Sequence, residues 1–210
     1  MQEVWMVYPK KAYFENYVFN VDEHVYETAE DTFLIAEKIY VTENDSVLDL
    51  GTGCGILAIL SAKTAKHVVA IDINPYAIKC ARENSKTYGV TGKIDFLQGD
   101  LFQPLKNNQR FSLILFNSPY LPSEPKEENS WIGKSWAGGP NGRNVINRFI
   151  SGVPYWLAED GRVLLVQSSL SDPEKTIEMF DELGLKSKIV SDVKFPFEQI
   201  VLIEAKRFVY

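Results

Sequence analysis

Short apolar runs alternate along the chain with segments in which apolar residues recur at helical spacing. Runs of about five apolar residues next to turn residues indicate buried strands. Two of the helical segments begin at prolines, Pro75 and Pro173, as helices often do. We predict strands at 46–50, 67–71, 93–97, 111–116, 162–167, 188–193 and 199–205, and helices at 29–39, 56–62, 75–88, 141–157 and 173–183.

This order predicts an α/β fold with a doubly wound, seven-stranded, mostly parallel sheet that ends in an antiparallel strand pair. The chain has 210 residues, and we expect one domain over residues 1–210, with residues 1–28 as an N-terminal extension. Residues 121–142 show no clear periodicity, and a loop of this length is usually functional or disordered. Its Trp131 and Trp136 predict either a lid or peptide groove, or anchors that pin the loop to the core.

A distinctive tetrapeptide, Asn117-Ser118-Pro119-Tyr120, follows the strand predicted at 111–116. Residues at the carboxyl end of such a strand lie where open α/β sheets bind ligands. The Asn117 carboxamide oxygen and the Ser118 carbonyl can both accept hydrogen bonds from one planar NH2 group. Pro119 would stiffen the loop, and Tyr120 would stack against the planar group. The tetrapeptide therefore predicts a clamp for a primary amide or an exocyclic amine, although the same residues also form ordinary turns.

A glycine-rich turn, Gly51-Thr-Gly-Cys-Gly55, joins the strand at 46–50 to the helix at 56–62. Gly51 and Gly53 would let a ligand approach bare backbone and the helix N-terminus. The spacing is Gly-x-Gly-x-Gly, which differs from the Gly-x-Gly-x-x-Gly of dinucleotide sites. A ligand without a pyrophosphate, such as S-adenosylmethionine, fits this difference.

Three successive predicted strands end near an aspartate. Asp49 precedes the glycines and would suit the sulfonium cation of S-adenosylmethionine. Asp72 follows the glycines by about 20 residues, the distance at which an acidic residue meets ribose hydroxyls. Asp100 would accept from the adenine amine, and Leu101 would pack on its ring. Each aspartate alone is an ordinary turn residue, but the three in register with the clamp indicate one cofactor site.

Composition argues against several other kinds of protein. The net charge is −6 and the sequence has no clear basic stripe, which argues against a nucleic-acid partner. The two histidines and two cysteines lack metal-ligand spacing, so we predict no metal site and a structural role for Cys54. No stretch approaches the roughly 20 apolar residues of a membrane span, and the amino terminus is not a secretory signal. We therefore expect a cytoplasmic protein without a membrane partner.

The motifs taken together resemble the HemK-type protein glutamine methyltransferases, which methylate the side-chain amide of the Gly-Gly-Gln motif in translation release factors. Two further segments resemble the short archaeal and eukaryotic branch, which lacks the helical N-terminal substrate domain of the bacterial enzymes. The four general motifs are Asp49-Leu-Gly-Thr-Gly-Cys-Gly55, Asp72-Ile-Asn-Pro75, Gly99-Asp-Leu-Phe102 and Asn117-Ser-Pro-Tyr120. The two branch segments are Val25-Tyr-Glu-Thr-Ala-Glu-Asp-Thr-Phe33 and Ser135-Trp-Ala-Gly-Gly-Pro-Asn-Gly-Arg143.

The resemblance implies a class I, Rossmann-like methyltransferase that uses S-adenosyl-L-methionine and releases S-adenosyl-L-homocysteine. It implies a class I release factor as the protein substrate and a small zinc-containing activator protein as a partner. The family pattern is Asn-Pro-Pro-Tyr, and Ser118 here supplies the same carbonyl without the fixed φ of proline, so we expect activity to be retained. Asn117 would hold the substrate amide and border the cofactor, which would also contact Thr32, Asp49, Gly51, Asp72, Asp100 and Leu101.

Three other functions stay open on the sequence alone. An adenine-N6 methyltransferase acting on DNA or RNA would use the same clamp for an exocyclic amine. A dinucleotide oxidoreductase is disfavoured by the glycine spacing and by the clamp. A non-catalytic partner protein that binds S-adenosylmethionine would need the cofactor site but not the clamp.

Overall fold

Seven strands form one sheet at the centre of the computed structural model, which describes residues 10–207. Two further strands form a separate antiparallel hairpin near the amino terminus. The strands are β1 Lys10–Phe14, β2 Tyr17–Val21, β3 Ser46–Leu50, β4 His67–Asp72, β5 Ile94–Gln98, β6 Phe111–Asn117, β7 Leu157–Ser168, β8 Leu185–Phe195 and β9 Glu198–Arg207.

The order across the large sheet is β5-β4-β3-β6-β7-β9-β8. Strands β3 to β7 pair in parallel, whereas β9 is antiparallel to both β7 and β8. The predicted doubly wound sheet with a C-terminal antiparallel pair is therefore confirmed. The helices between the strands are α1 Glu30–Ala36, α2 Ile56–Ala62, α3 Pro75–Thr87, α4 Trp131–Trp136, α5 Asn144–Trp156 and α6 Pro173–Glu182.

Helices cover both faces of the sheet, and the strand residues alternate between two hydrophobic clusters. Val47 and Leu113 pack in the cluster with α1, α2, α3 and the β1–β2 hairpin, whereas Leu48 and Ile114 pack in the cluster with α5 and α6. Burial on both faces explains why these strands read as continuous apolar runs rather than as an alternation of polar and apolar residues.

Strand β3 lies between β4 and β6, so the winding direction reverses between β3 and β6. In open α/β sheets, ligands bind outside the carboxyl ends of the strands at such a reversal point. The glycine-rich turn follows β3, and Asn117 is the last residue of β6. The topology thus brings the two main predicted motifs to one crevice.

The sequence interpretation missed two elements. The β1–β2 hairpin lies within the predicted N-terminal extension, of which residues 1–9 fall outside the described part. Asn84 of α3 ties this hairpin to the core, because its side chain accepts from the Asn20 amide and donates to the carbonyls of Asn20 and Cys54. The second missed element is α4, which interrupts the segment predicted as an aperiodic loop. The remaining helices and strands match the predictions, with ends that differ by up to a few residues and with β7 beginning five residues earlier.

Candidate active site

A cavity of about 570 Å³ opens at the carboxyl ends of β3, β4 and β6. This volume is typical of small-molecule and cofactor sites. It brings together ten of the eleven residues predicted for the site: Thr32, Gly51, Gly53, Asp72, Asp100, Leu101, Asn117, Ser118, Pro119 and Tyr120.

The glycine-rich turn uses several of its own backbone amides to hold its shape. The Thr52 amide donates to the Ile71 carbonyl at 3.0 Å, and the Gly53 amide donates to Asp72 Oδ2 at 2.9 Å. Gly51 has a φ of +65°, a conformation that L side chains rarely adopt, and it lies against the end of β6. Amides that are engaged within the protein are not available to a phosphate, which favours a ligand without one.

Asp72 presents a carboxylate to the cavity at the end of β4. Burial raises its pKa to about 6, while amide donors, including those of Asn74 and Gly53, act in the opposite direction. The Asn74 side chain caps α3 by accepting from the Tyr76 amide. Asp72 is therefore held by backbone donors on two sides and can accept a hydrogen bond from a ligand hydroxyl.

Asp49 is the one predicted site residue that does not line the cavity, and a direct contact between its side chain and the ligand stays a prediction. Its side chain is 0% exposed beneath the turn, where Oδ2 accepts from Thr52 Oγ1 at 2.6 Å and from the Ala58 amide at 3.1 Å. Its other oxygen, Oδ1, has no hydrogen-bond partner within residues 10–207. Burial raises the pKa of this carboxyl to about 7. Asp49 supports the turn and the start of α2 from below.

Asp100 and Leu101 form the part of the wall that follows β5. The Asp100 carboxylate forms an ion pair with Arg148 of α5, which also lines the cavity. Leu101 has a φ of +48°, which is uncommon for a leucine and which occurs most often where the surrounding structure imposes a functional geometry. The Asp100–Arg148 ion pair and the backbone conformation of Leu101 define the shape of this side of the cavity.

The orientation of the Asn117 carboxamide follows from its hydrogen bonds. The Thr32 hydroxyl donates to Asp31 Oδ1 at 3.3 Å, so it accepts from Asn117 Nδ2, which lies 2.9 Å away. The amide nitrogen is thereby engaged, and the oxygen remains as the free acceptor. Asn117 Oδ1 is buried and has no hydrogen-bond partner in the described part of the chain. A buried acceptor without a donor carries a cost of about 1–3 kcal/mol, which a ligand NH2 group would remove.

Ser118 gains a fixed position through its side chain. Its hydroxyl donates to the Val166 carbonyl of β7 at 2.8 Å, and the residue is buried. A proline has no such donor, so this hydrogen bond restrains the loop where the family pattern uses a rigid ring. Pro119 follows directly and also lines the cavity.

Two residues that the sequence interpretation did not select, Asp31 and Tyr26, support the clamp. The Tyr120 and Tyr26 hydroxyls both donate to Asp31 Oδ2, at 3.2 and 3.3 Å. Burial and the adjacent Asp31 carboxylate raise the pKa of both tyrosines, so both hydroxyls stay protonated as donors at neutral pH. The network holds the Tyr120 ring beside Asn117. Asp31 lies in one of the two branch segments, but no pattern in the sequence indicates that both tyrosines contact it.

The segment from Leu121 to Gly139 folds over one side of the cavity rather than extending into solvent. The Leu121 amide donates to the Trp136 carbonyl, and the Ser123 amide donates to the Gly139 carbonyl. Trp131 and Trp136 are both half-buried, and both line the cavity. Of the two predicted roles, their position matches a cover or groove wall and not anchors within the hydrophobic core.

Cys54 also lines the cavity, and burial raises the pKa of its thiol, so it is not an activated nucleophile. Among residues 10–207, no three side chains of His, Cys, Asp or Glu come together as they would to hold a metal ion. None of the helices in this range is long and apolar enough to cross a lipid bilayer.

The chain is similar in sequence to known methyltransferases. Residues 26–118 match the family model of ribosomal protein L11 methyltransferase (PrmA), which spans the strands and turns that form the cofactor side of the cavity. A Methanocaldococcus jannaschii protein provisionally named a protein N5-glutamine methyltransferase (MJ0928) is 41% identical over 185 residues, which cover 87% of this chain and 92% of the relative. Methyltransferase HEMK2 of Homo sapiens is 32% identical over 173 residues, which cover 77% of this chain and 80% of the relative.

Among solved structures, a chain of the E. cuniculi Mtq2–Trm112 complex aligns with a TM-score of 0.70 and 25% identity. The alignment covers 88% of this chain and 99% of that chain, and that complex is described as responsible for the methylation of the translation termination factor eRF1. The PrmA match covers less than half of this chain, whereas the glutamine methyltransferase match covers nearly all of both proteins. The chain therefore belongs to the HemK-type family of protein glutamine N5-methyltransferases.

Proposed function

We propose that this protein transfers a methyl group from S-adenosylmethionine to the side-chain amide nitrogen of a glutamine in a translation release factor. The observation that carries the proposal is the buried, unpartnered Asn117 Oδ1 in a cavity that also contains the glycine-rich turn. A glutamine amide can donate to Asn117 Oδ1 and to the Ser118 carbonyl at the same time, because its NH2 group carries two hydrogens in one plane.

The residues of the cavity fit S-adenosylmethionine. Asp72 offers acceptors for the two ribose hydroxyls, Leu101 offers an apolar surface for the adenine, and Gly51 and Gly53 leave room for close backbone approach. Arg148 also lines the cavity, but its charge is paired with Asp100, which makes it a poor phosphate ligand. When bound, the cofactor supplies a methyl group that its sulfonium sulfur has already activated.

The protein has mainly to position the substrate nitrogen, because an amide nitrogen is a weak nucleophile. Orientation of two reacting groups can lower a barrier by roughly 7–11 kcal/mol in favourable cases. Asn117 and Ser118 would fix the amide plane, and their oxygens would stabilise the positive charge that the nitrogen develops. Tyr120 would stack on that plane, with its hydroxyl held by Asp31. The methylated nitrogen is acidic and can lose its proton to water, so no strong base is needed.

The clamp and the glycine-rich turn favour glutamine methylation over the three other functions. A dinucleotide would need the amides of the glycine-rich turn, of which Thr52 and Gly53 are engaged within the protein. An adenine amine fits the same clamp in principle, but the chain has a net charge of −6. A non-catalytic partner protein would have no use for the buried acceptor on Asn117.

We also propose a small activator protein as a partner, by analogy with the Mtq2–Trm112 complex. The zinc that the sequence resemblance implies would then be held by that partner. Addition of such a protein is expected to raise turnover or solubility without changing which residue is methylated.

The test is methyl transfer from labelled S-adenosylmethionine to a purified archaeal-type release factor, with unmodified RNA and DNA in parallel reactions. A factor with Gly-Gly-Gln changed to Gly-Gly-Asn serves as the matched control, and each reaction is run with and without the small partner. Label on the wild-type factor alone supports the proposal. Label on nucleic acid, with none on the factor, contradicts it and favours the adenine methyltransferase.

A further inference from the structure

The tip of the β8–β9 hairpin carries an exposed aromatic side chain. Phe197 is 96% exposed in the two-residue connection between the strands, and Phe195 beside it is 43% exposed. Leu170, in the short turn after β7, is 52% exposed. The Gln199 amide donates to Ser169 Oγ at 3.0 Å, which ties this turn to the hairpin. We call Phe195, Phe197 and Leu170 the tip patch.

Turn chemistry does not account for Phe197. Two-residue hairpin connections favour residues that adopt positive φ, such as Asn-Gly or Asp-Gly, because that twist matches the strands. Here the connection is Pro196-Phe197, and neither residue has a positive φ. A phenylalanine with almost no buried surface adds little to folding, and exposed aromatic side chains are the residues that protein interfaces use as anchors.

The tip patch lies at the same edge of the sheet as the active site. Asn117 pairs with Val166 of β7, and Val166 pairs with Leu202 of β9. Strand β9 is antiparallel to β7, so its first residues extend beyond the carboxyl end of β7. Glu198, next to Phe197, is close enough to the clamp for its charge to raise the pKa of Tyr120, after the larger effects of burial, Asp31 and Tyr26.

The spacing of strands and residues gives the distance between the patch and the clamp. Two strand-to-strand steps span about 10 Å, and the five residues from Leu202 to Phe197 span about 16 Å, so Phe197 is about 20 Å from Asn117. A standard protein–protein interface buries about 800 Å² on each partner, a patch about 30 Å across. An interface of this width that has the clamp toward one side extends far enough to include the hairpin tip.

We propose that the tip patch is a docking surface for the protein substrate and that Phe197 is its main anchor. This inference rests on the proposed function, because it takes a folded protein as the owner of the glutamine. The patch would bind an apolar surface of that protein beside the glutamine loop. It would act on the affinity of the whole substrate and not on the transfer of the methyl group.

The test compares Phe197→Ala with the wild type on two substrates, the intact release factor and a nine-residue peptide with the glutamine at its centre. The peptide extends only about 13 Å to either side of the glutamine and does not reach the tip. Tyr40→Ala is the matched control, because Tyr40 is 74% exposed but lies near the start of β3, at the opposite edge of the sheet. Leu170→Ser provides a second, independent variant of the patch.

We expect Phe197→Ala to raise KM for the intact factor about 10-fold, with kcat, the peptide KM and the affinity for S-adenosylmethionine unchanged. Leu170→Ser should act in the same direction, and Tyr40→Ala should have no effect. If Phe197→Ala leaves KM for the factor unchanged while the wild type turns the factor over normally, the docking surface is overturned and the proposed function is not. An equal rise in KM for the peptide also overturns the docking surface. If the wild type methylates the peptide or nucleic acid but not the factor, the proposed function has failed and this inference falls with it.

Discussion

The buried carboxyl of Asp49 makes stability depend on pH in a direction opposite to that of most surface carboxylates. Burial raises its pKa from an ordinary value of 3.8 to about 7, so the folded protein holds this proton more tightly than the unfolded chain does. The stabilising effect of the neutral form is complete below the unfolded pKa and is lost as the pH rises through the folded pKa. The free energy of unfolding should therefore fall between pH 4 and pH 7.

The size of this effect follows from the pKa difference of about three. Each pKa unit corresponds to about 1.36 kcal/mol, so complete ionisation of Asp49 costs about 4 kcal/mol. Roughly 2–3 kcal/mol of this falls between pH 5 and pH 8. Asp72, whose pKa is raised to about 6, adds a slope of the same sign over a lower pH range.

The assay is urea unfolding of the wild type and of Asp49→Asn at several pH values between 5 and 8. Asparagine keeps an acceptor for Thr52 and Ala58 but cannot ionise, so the variant should lose roughly 2–3 kcal/mol of the pH dependence. Asp192→Asn, which removes an exposed carboxylate on strand β8, is the control. An identical pH slope in the wild type and Asp49→Asn would contradict this expectation, because it would mean that folded Asp49 is ionised across this range.

Three further predictions concern the turn and the clamp. Asn117→Ala should lower kcat about 10²–10³-fold while the affinity for S-adenosylmethionine, measured by calorimetry, changes little; an equal loss of both would mean that Asn117 holds the cofactor. Ser118→Ala removes the hydrogen bond to Val166 and should lower the free energy of unfolding by about 1 kcal/mol and raise KM for the glutamine substrate; an unchanged KM would show that the loop does not need this bond. Gly55→Ala would place a Cβ 2.8 Å from the Cβ of Ala81 at a φ of +91°. The control Gly89→Ala also has a positive φ, but its Cβ would meet no atom within 4 Å, so the Gly55→Ala protein should be less stable than the Gly89→Ala protein by about 1–3 kcal/mol. Equal melting temperatures of the two variants would contradict this expectation.

Much of the cofactor side of the site could be predicted because it depends on local sequence. A strand followed by glycines or by Asn117 places those residues at the sheet edge whatever the rest of the chain does. The position of Asp49 could not be predicted in the same way. The residue lies one position before the end of β3, and only the contacts with Thr52 and Ala58 turn its side chain beneath the loop instead of toward the ligand.

The parts that sequence reasoning missed depend on contacts between distant residues. Asp31 is joined to Tyr120, which is 89 positions away, and no pattern within either segment indicates that contact. The β1–β2 hairpin does carry a local signal, because Tyr17, Phe19 and Val21 alternate with outward-facing residues. Its attachment to the core through Asn84 is again a long-range contact.

We expect the clamp of Asn117, Ser118 and Tyr120 to select a planar amide. The most direct test is mass-spectrometric mapping of the methylated residue in a release factor treated with the wild-type protein and S-adenosylmethionine. We expect a methyl group on the side-chain amide nitrogen of the Gly-Gly-Gln glutamine and none on lysine or arginine. A methyl group on a lysine amine, with the glutamine unmodified, would contradict it, because a tetrahedral ammonium group does not use a planar amide clamp.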